Sequence, residues 1–204
     1  MPIFKKANKK ISFIHIPKAA GSSIEQYFTD SGWEMDFYKP CSHPSEPAVH
    51  HLTYTDLRKL VPDLDDFPSF CIVRIPYKRM VSEWRWQRNR MRTTKINFTD
   101  FVRRVEVSLK TSKTYWDNHW RPQSDFISDK ISKIIRIEKL NESFDEFSRE
   151  QGLGLSGGIP QFGRSKSGNS PKLQLEDRTL ERVLDIYKDD FAAFGYPVEP
   201  PNLK

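Results

Sequence analysis

Cysteine is scarce in this chain: Cys41 and Cys71 are the only two among 204 residues. Two thiols build no disulfide framework, and Cys71 sits inside an apolar run where a small hydrophobe belongs. Long apolar runs are missing as well. No stretch approaches the roughly 20 residues that span a bilayer, so no membrane span is expected. The opening residues, MPIFKKANKKISFIHI, carry lysines but neither the apolar core nor the small-residue cleavage site of a signal peptide. A cytoplasmic location is therefore expected. No internal repeat is visible. Zinc-ligand spacing is also absent: Cys41 and His43 followed by the adjacent His50 and His51 match no usual pattern, and no metal is expected. The nucleoside-triphosphate loop G-x-x-x-x-G-K-[ST] is missing too.

What is present is a localised excess of positive charge. The formal net charge is +6. Lys5, Lys6, Lys9 and Lys10 cluster near the start, and residues 77–92 hold Lys78, Arg79, Arg85, Arg88, Arg90 and Arg92 against Glu83 alone. The rest of the chain is net negative, so the excess points to an anionic ligand at particular places. A nucleic-acid module using 77–92 would show the same excess, with an affinity that falls steeply with salt.

The chain is 37% hydrophobic and 29% charged, and its length suits one domain, residues 1–204, with a full core. Short, nearly continuous apolar runs at 11–16, 69–75 and 131–137 predict strands covered on both faces. Helical spacing follows them at 22–29, 77–91, 143–151 and 176–191. In the last, Leu180, Val183, Leu184, Tyr187 and Phe191 make the buried stripe. Strand–helix alternation predicts an α/β fold, a parallel sheet flanked by helices. Residues 38–47, with three prolines, and 152–170, with six glycines and four serines, predict loops.

Two strand-to-helix turns stand out. In FIHIPKAAGSSIEQYF an apolar strand meets a Pro-Lys turn, a glycine and two serines before helical spacing resumes. Lys18, Gly21, Ser22 and Ser23 thus gather an ammonium, hydroxyls and backbone N–H groups at a helix N-terminus, which favours phosphate or sulfate. In CIVRIPYKRMVSEW a second strand delivers Arg74 at its carboxyl end, where open α/β sheets bind ligands. Ser82 lies one to two turns into the next helix, within reach of an anion shared with Arg74, and a guanidinium fork suits phosphate well. A Pro-led turn with a surface lysine, and an arginine capped by local acids, would leave the same traces.

Together the segments FIHIPKAAGSS and VRIPYKRMVSEW resemble the two nucleotide-binding signatures of the sulfotransferases that use 3′-phosphoadenosine 5′-phosphosulfate (PAPS). The likeness is closer to the carbohydrate branch, the uronyl and heparan type. It extends through HHLTYTDL, HWRPQSDFI, IIRIEKL and IYKDDFAAFGY in the family's order. The resemblance implies a fold like that of P-loop kinases and a PAPS donor. It places the 5′-phosphosulfate on the loop Lys18, Ala19, Ala20, Gly21, Ser22 and Ser23, and the 3′-phosphate on Arg74 and Ser82. Lys166 and Ser167 loosely match a late loop that closes over the 3′-phosphate.

Sulfuryl transfer, like phosphoryl transfer, is carried mainly by positioning and charge stabilisation. Lys18 suits the leaving oxygen, and lysine with arginine supplies the positive charge a metal would otherwise bring. A hydroxyl acceptor benefits from a general base, and histidine is the first candidate near neutral pH. The resemblance aligns His51 with the position of the family's catalytic histidine. His119 is the rival base or an acceptor contact, with Arg121 beside it, while His15 reads as a structural strand residue. Trp84, Trp86, Tyr115, Trp116 and Trp120, mixed with Arg85, Arg88, Arg90 and Arg121, suit a hydroxyl-rich or acidic acceptor, a carbohydrate or small metabolite. Tyr77, Val81, Trp84 and Met91 also form a core-facing stripe. Three other readings stay open: a nucleotide-dependent kinase of related fold, a relative that binds nucleotide without catalysis, and the nucleic-acid module. The last leaves 18–23 unexplained.

Overall fold

A computed structural model of the chain describes residues 2–38, 47–90, 96–155, 158–160, 173 and 175–203. The strands are β1 (Ile3–Lys6), β2 (Lys9–Ile14), β3 (Glu34–Asp36), β4 (Ser69–Val73) and β5 (Lys133–Arg136). They form one sheet in the order β3-β1-β2-β4-β5. β2, β4 and β5 run parallel, as the three apolar runs predict. β1 pairs antiparallel with both β2 and β3, an edge that the strand–helix alternation did not foretell. The reason is local. Lys6 pairs with Lys9 across a two-residue turn, with Ala7 at φ 52, and so short a turn can only join antiparallel strands.

The helices are α1 (Gly21–Asp30), α2 (Tyr54–Leu60), α3 (Pro76–Arg90), α4 (Phe98–Thr111), α5 (Leu140–Glu150), α6 (Asp177–Ile186) and α7 (Lys188–Phe194). α4 is an addition to the expected set. Asn97 caps it by accepting from the Asp100 amide, and Phe98, Phe101, Val102 and Val105 bury one face. The helix expected over 176–191 breaks at Tyr187, whose hydroxyl donates to the Trp120 carbonyl. The break turns Asp190, fully buried on α7, towards the backbone of Gln123 and Ser124.

Aromatic rings fill the space between the sheet and α1 and α5. Phe4 stacks on Phe28 at 4.1 Å, and Phe28, Phe70 and Phe144 lie within 6.1 Å of one another. β4 is buried at every residue. The lysine cluster near the start is partly spent at the surface: Lys5 pairs with Asp36, Lys10 with Asp63, and Lys6 donates to the Ser31 carbonyl. Among the described residues no helix is long and apolar enough to cross a membrane. Cys41, His43, Lys166 and Ser167 lie outside the described residues, as do most of the two predicted loops.

Because β2 and β4 are parallel neighbours, their carboxyl ends open side by side. One delivers His15 and the loop to α1; the other delivers Arg74 and α3.

Candidate functional site

The loop after β2 is tightly curled. Lys18 and Ala20 both take left-handed backbone, φ 68 and 67. For residues carrying a Cβ this costs about 1–2 kcal/mol each, and such curls turn successive N–H groups towards a common anion. α1 then starts at Gly21 with no side-chain cap and no acid in its first turn, so its orphan donors and positive dipole end face the loop. Gly21 is required by crowding. A Cβ there would stand 2.0 Å from His15 Nε2, and that ring is buried and held by Glu25 Oε1 at its Nδ1. Gly21→Ala should therefore lower stability by about 1–3 kcal/mol, the usual penalty of overpacking. A thermal melt tests this, and an unchanged midpoint would mean that the His15 ring swings away freely.

The second turn is locked from behind. The Gln123 side chain pairs with the Arg74 backbone in both directions, accepting from its N–H at 2.9 Å and donating to its carbonyl at 2.9 Å. Asp190 in turn accepts from the Gln123 amide and from Ser124. With its backbone pinned, Arg74 extends to the loop, where Nη1 donates to the Lys18 carbonyl at 3.3 Å. Arg79, buried on α3, clamps three carbonyls: Pro17 at 3.0 Å, Arg121 at 2.9 Å and His119 at 2.9 Å. It ties the loop after β2 to the segment bearing His119.

Charge at this junction is unbalanced. Burial holds the Lys18 ammonium below its usual range; Glu83 opposes this, and Arg74 adds repulsion. Arg74 is lowered in the same way by burial, opposed by Glu138 and aided by the nearby Arg85. Arg74 Nε and Arg85 Nε are both buried without a hydrogen-bond partner. Buried donors left unpaired are costly, so this corner is built for an anion.

Beside the cations stand the histidines. Lys18 Nζ lies 5.0 Å over the Trp86 ring, and Trp86 stacks on His119 at 4.9 Å. His119 Nδ1 bonds the fully buried Glu83 at 2.9 Å. Burial alone would push the Glu83 carboxyl up, but His119, with Lys18 and Gln87 behind it, brings it below its usual value. His51 lies 5.0 Å from His119, and its Nδ1 bonds Asp117 at 2.8 Å. Burial, then the neighbouring His15, His119 and His50, hold His51 well below the ordinary histidine range. It is therefore neutral at neutral pH. With Asp117 ionised, Nδ1 carries the hydrogen, and Nε2 keeps a free lone pair. Trp116, Asp117 and Asn118 form a left-handed run, φ 58, 57 and 59, that aims Asp117 at His51 while the Asn118 amide donates to the His51 carbonyl at 2.8 Å. One donor atom from each of His51, Asp117 and His119 lies within 4.8 Å of the others.

A family model described as the sulfotransferase family matches residues 2–197. The chain belongs to that family. No curated protein matches it. The five-stranded mixed sheet with helices around it fits the sulfotransferase fold, and sulfuryl transfer is the reaction class that membership carries.

In this sulfotransferase the residues singled out in the sequence largely converge. Lys18, Ala19, Ala20, Gly21, Ser22 and Ser23 form one turn, Arg74 touches it, and His119 and His51 follow through Trp86. Ser82 is half-buried in the second turn of α3, next to Glu83. Arg121 is half-buried, and its Nε bonds Asp125 at 3.2 Å. Trp84 and Trp120 are core residues, 3% and 1% exposed, which removes them from the aromatic set suited to an acceptor. Glu25, Glu83 and Asp117 have no role in the sequence reading, and Arg85, expected on the acceptor side, stands beside Arg74. Of the three acids only Asp117 left a signal, two residues before His119.

Proposed function

We propose that residues 1–204 form a single sulfotransferase domain that moves a sulfuryl group from PAPS to a hydroxyl of a carbohydrate or small metabolite. The observation that carries this reading is the contact of Arg74 with the Lys18 carbonyl, which joins two cationic turns at neighbouring strand ends. One turn suits each phosphorylated end of the nucleotide. The donor fits the chemistry of the corner: unpaired guanidinium N–H groups, uncapped helix amides, and a glycine where no side chain fits. The loop from Lys18 to Ser23 would hold the 5′-phosphosulfate, and Arg74 with Ser82 and Arg85 the 3′-phosphate.

PAPS supplies an activated sulfuryl group whose S–O bond to phosphate breaks as the acceptor oxygen bonds to sulfur in line. Lys18 neutralises charge growing on the leaving phosphate oxygen, while the loop amides and serines hold the sulfuryl oxygens. His51 takes the acceptor proton on Nε2, with Asp117 fixing its tautomer. His119 and Arg121 contact the acceptor. Lysine and arginine provide the positive charge, so transfer needs no metal. A cytoplasmic location without nucleic-acid partners belongs to the same reading; the buried clamp formed by Arg79 and the paired lysines of β1 and β2 leave less free cationic surface for nucleic acid.

Incubation with radiolabelled PAPS and a panel of glycans and small alcohols should give labelled product and adenosine 3′,5′-bisphosphate without added magnesium. Magnesium-dependent ATP binding in place of bisphosphate binding would favour a kinase. Arg74→Ala should weaken bisphosphate binding by about 2 kcal/mol or more, the worth of charge-assisted hydrogen bonds. Arg85→Ala should weaken it as well. Calorimetry reads both, and an unchanged affinity for the Arg74 variant rejects the 3′-phosphate assignment.

A further inference from the structure

Four of the chain's five histidines crowd one place. His51 is the hub, with ring centres at 4.9 Å to His15, 4.1 Å to His50 and 5.0 Å to His119. Three of them are tied through Nδ1 to a carboxylate: His15 to Glu25, His51 to Asp117 and His119 to Glu83. A single general base explains one such dyad. It leaves two others, His15 with Glu25 and His119 with Glu83, and the His119 ring stands 5.0 Å from that of His51.

Two features of that pairing match a metal-binding arrangement. Imidazoles sharing one tetrahedral zinc, with Zn–N near 2.0–2.1 Å, have ring centres about 5 Å apart. The His51–His119 separation, 5.0 Å, has that value. A carboxylate on Nδ1 is also the device that orients a histidine ligand and raises the basicity of the other nitrogen, and Glu83 plays that part for His119. His51 Nδ1 and Asp117 Oδ2, 2.8 Å apart, supply the other two donors once the ion replaces the proton between them, in a cluster within 4.8 Å. Donors on a tetrahedral zinc stand about 3.4 Å apart, so a pair at 4.8 Å must close by about 1.4 Å. Asp117 and His119 lie on one turn that Asn118 fixes to His51, so this closure needs no distant element to move.

We propose that His51, Asp117 and His119 form a binding site for zinc, and that the ion is a reversible inhibitor which occupies the base. Imidazole and carboxylate donors favour zinc, copper and nickel over magnesium. That the ion inhibits rests on the proposed role of His51; that it binds does not.

The two parts are tested separately. The full chain, freed of metal with chelator, is titrated with zinc chloride by calorimetry, and with cobalt(II) to read tetrahedral coordination from its visible absorption. Saturable single-site binding is expected, weakened about tenfold or more in His119→Gln and retained in a Cys41→Ser/His43→Ala variant. If His119→Gln fails to fold by circular dichroism, Asp117→Asn takes its place. Absence of saturable binding overturns the site, as does binding lost from the Cys41/His43 variant but kept in the His119 or Asp117 variant. In the transfer assay zinc should suppress turnover, more acceptor should oppose it, more PAPS should not, and chelator should restore it. Bound zinc with unchanged turnover overturns the inhibitory part. A protein that binds zinc here yet transfers no sulfuryl group upholds the site and counts against the transfer reading alone.

Discussion

Replacing Lys18 with alanine is expected to slow sulfuryl transfer by about 10²–10³-fold, the scale on which one preorganised charge-stabilising donor acts. The substitution is unusually clean. Lys18 has φ 68, but Ala20, two residues on, holds φ 67 as an alanine, so the new side chain brings no backbone demand the loop does not already meet. Glu83 loses a neighbouring cation but keeps its bonds to His119 and Gln87. Nucleotide affinity should fall much less than the rate, because the Lys18 charge matters most when the leaving oxygen gains its own. Lys18→Met separates charge from shape. The methionine keeps an apolar stem to lie on Trp86, which the ammonium now covers at 5.0 Å, and it should lose as much rate as alanine does. Steady-state rates with a thermal melt for each variant provide the check. Near-normal turnover in either would remove Lys18 from its role at the leaving group.

The parts of this site that could be read from the sequence are those whose chemistry is continuous along the chain. β2 and β4 announce themselves as buried apolar runs, and each hands over directly to the cationic turn it serves. β1 and β3 do not. β1 has two apolar residues followed by two lysines, and β3 is three residues long with both ends exposed. Their strand character comes from pairing, and neither has a buried stripe long enough to show it. α4 is a different case. Phe98, Phe101, Val102 and Val105 have the helical spacing, and Asn97 with Asp100 is a cap, so this helix is legible in the sequence although strand–helix alternation has no place for it. The break at Tyr187 was hidden because Val183, Tyr187 and Phe191 keep helical spacing across it; the turn is imposed by Tyr187 and Asp190 reaching to Trp120, Gln123 and Ser124.

The histidines were visible and their partners were not. Glu25 lies 10 residues from His15, Glu83 lies 36 from His119, and Asp117 lies 66 from His51. No local spacing encodes pairs of that range. They exist because the curled loop, α3 and the left-handed turn at 116–118 meet over the ends of β2 and β4. Arg79 misleads in the opposite way. It adds to a basic run in the sequence, yet in the fold it is 3% exposed and spends its N–H groups on Pro17, Arg121 and His119. A charge count cannot distinguish a ligand-binding arginine from one that holds carbonyls together.

His51→Ala should cost about 10²-fold or more in rate, the scale of a positioned general base, while bisphosphate affinity stays unchanged. Truncating a buried ring also weakens packing, so His51→Gln is the better variant where the melt of the alanine protein falls. Asp117→Asn asks a finer question. An asparagine oxygen can still accept from the Ala48 amide, as Asp117 Oδ1 does now. Its nitrogen would then face His51 Nδ1 and donate where the carboxylate accepts. That reverses the tautomer: the hydrogen moves to Nε2, and the lone pair needed for the acceptor proton is gone. The Asp117 variant should therefore lose rate nearly as His51→Gln does, with its fold and nucleotide binding intact. His119→Gln should lose less, since it breaks an acceptor contact and leaves the base in place. Should His119→Gln prove as damaging as expected for His51 while His51→Gln stays active, the proton goes to the dyad with Glu83, and the two histidines exchange roles.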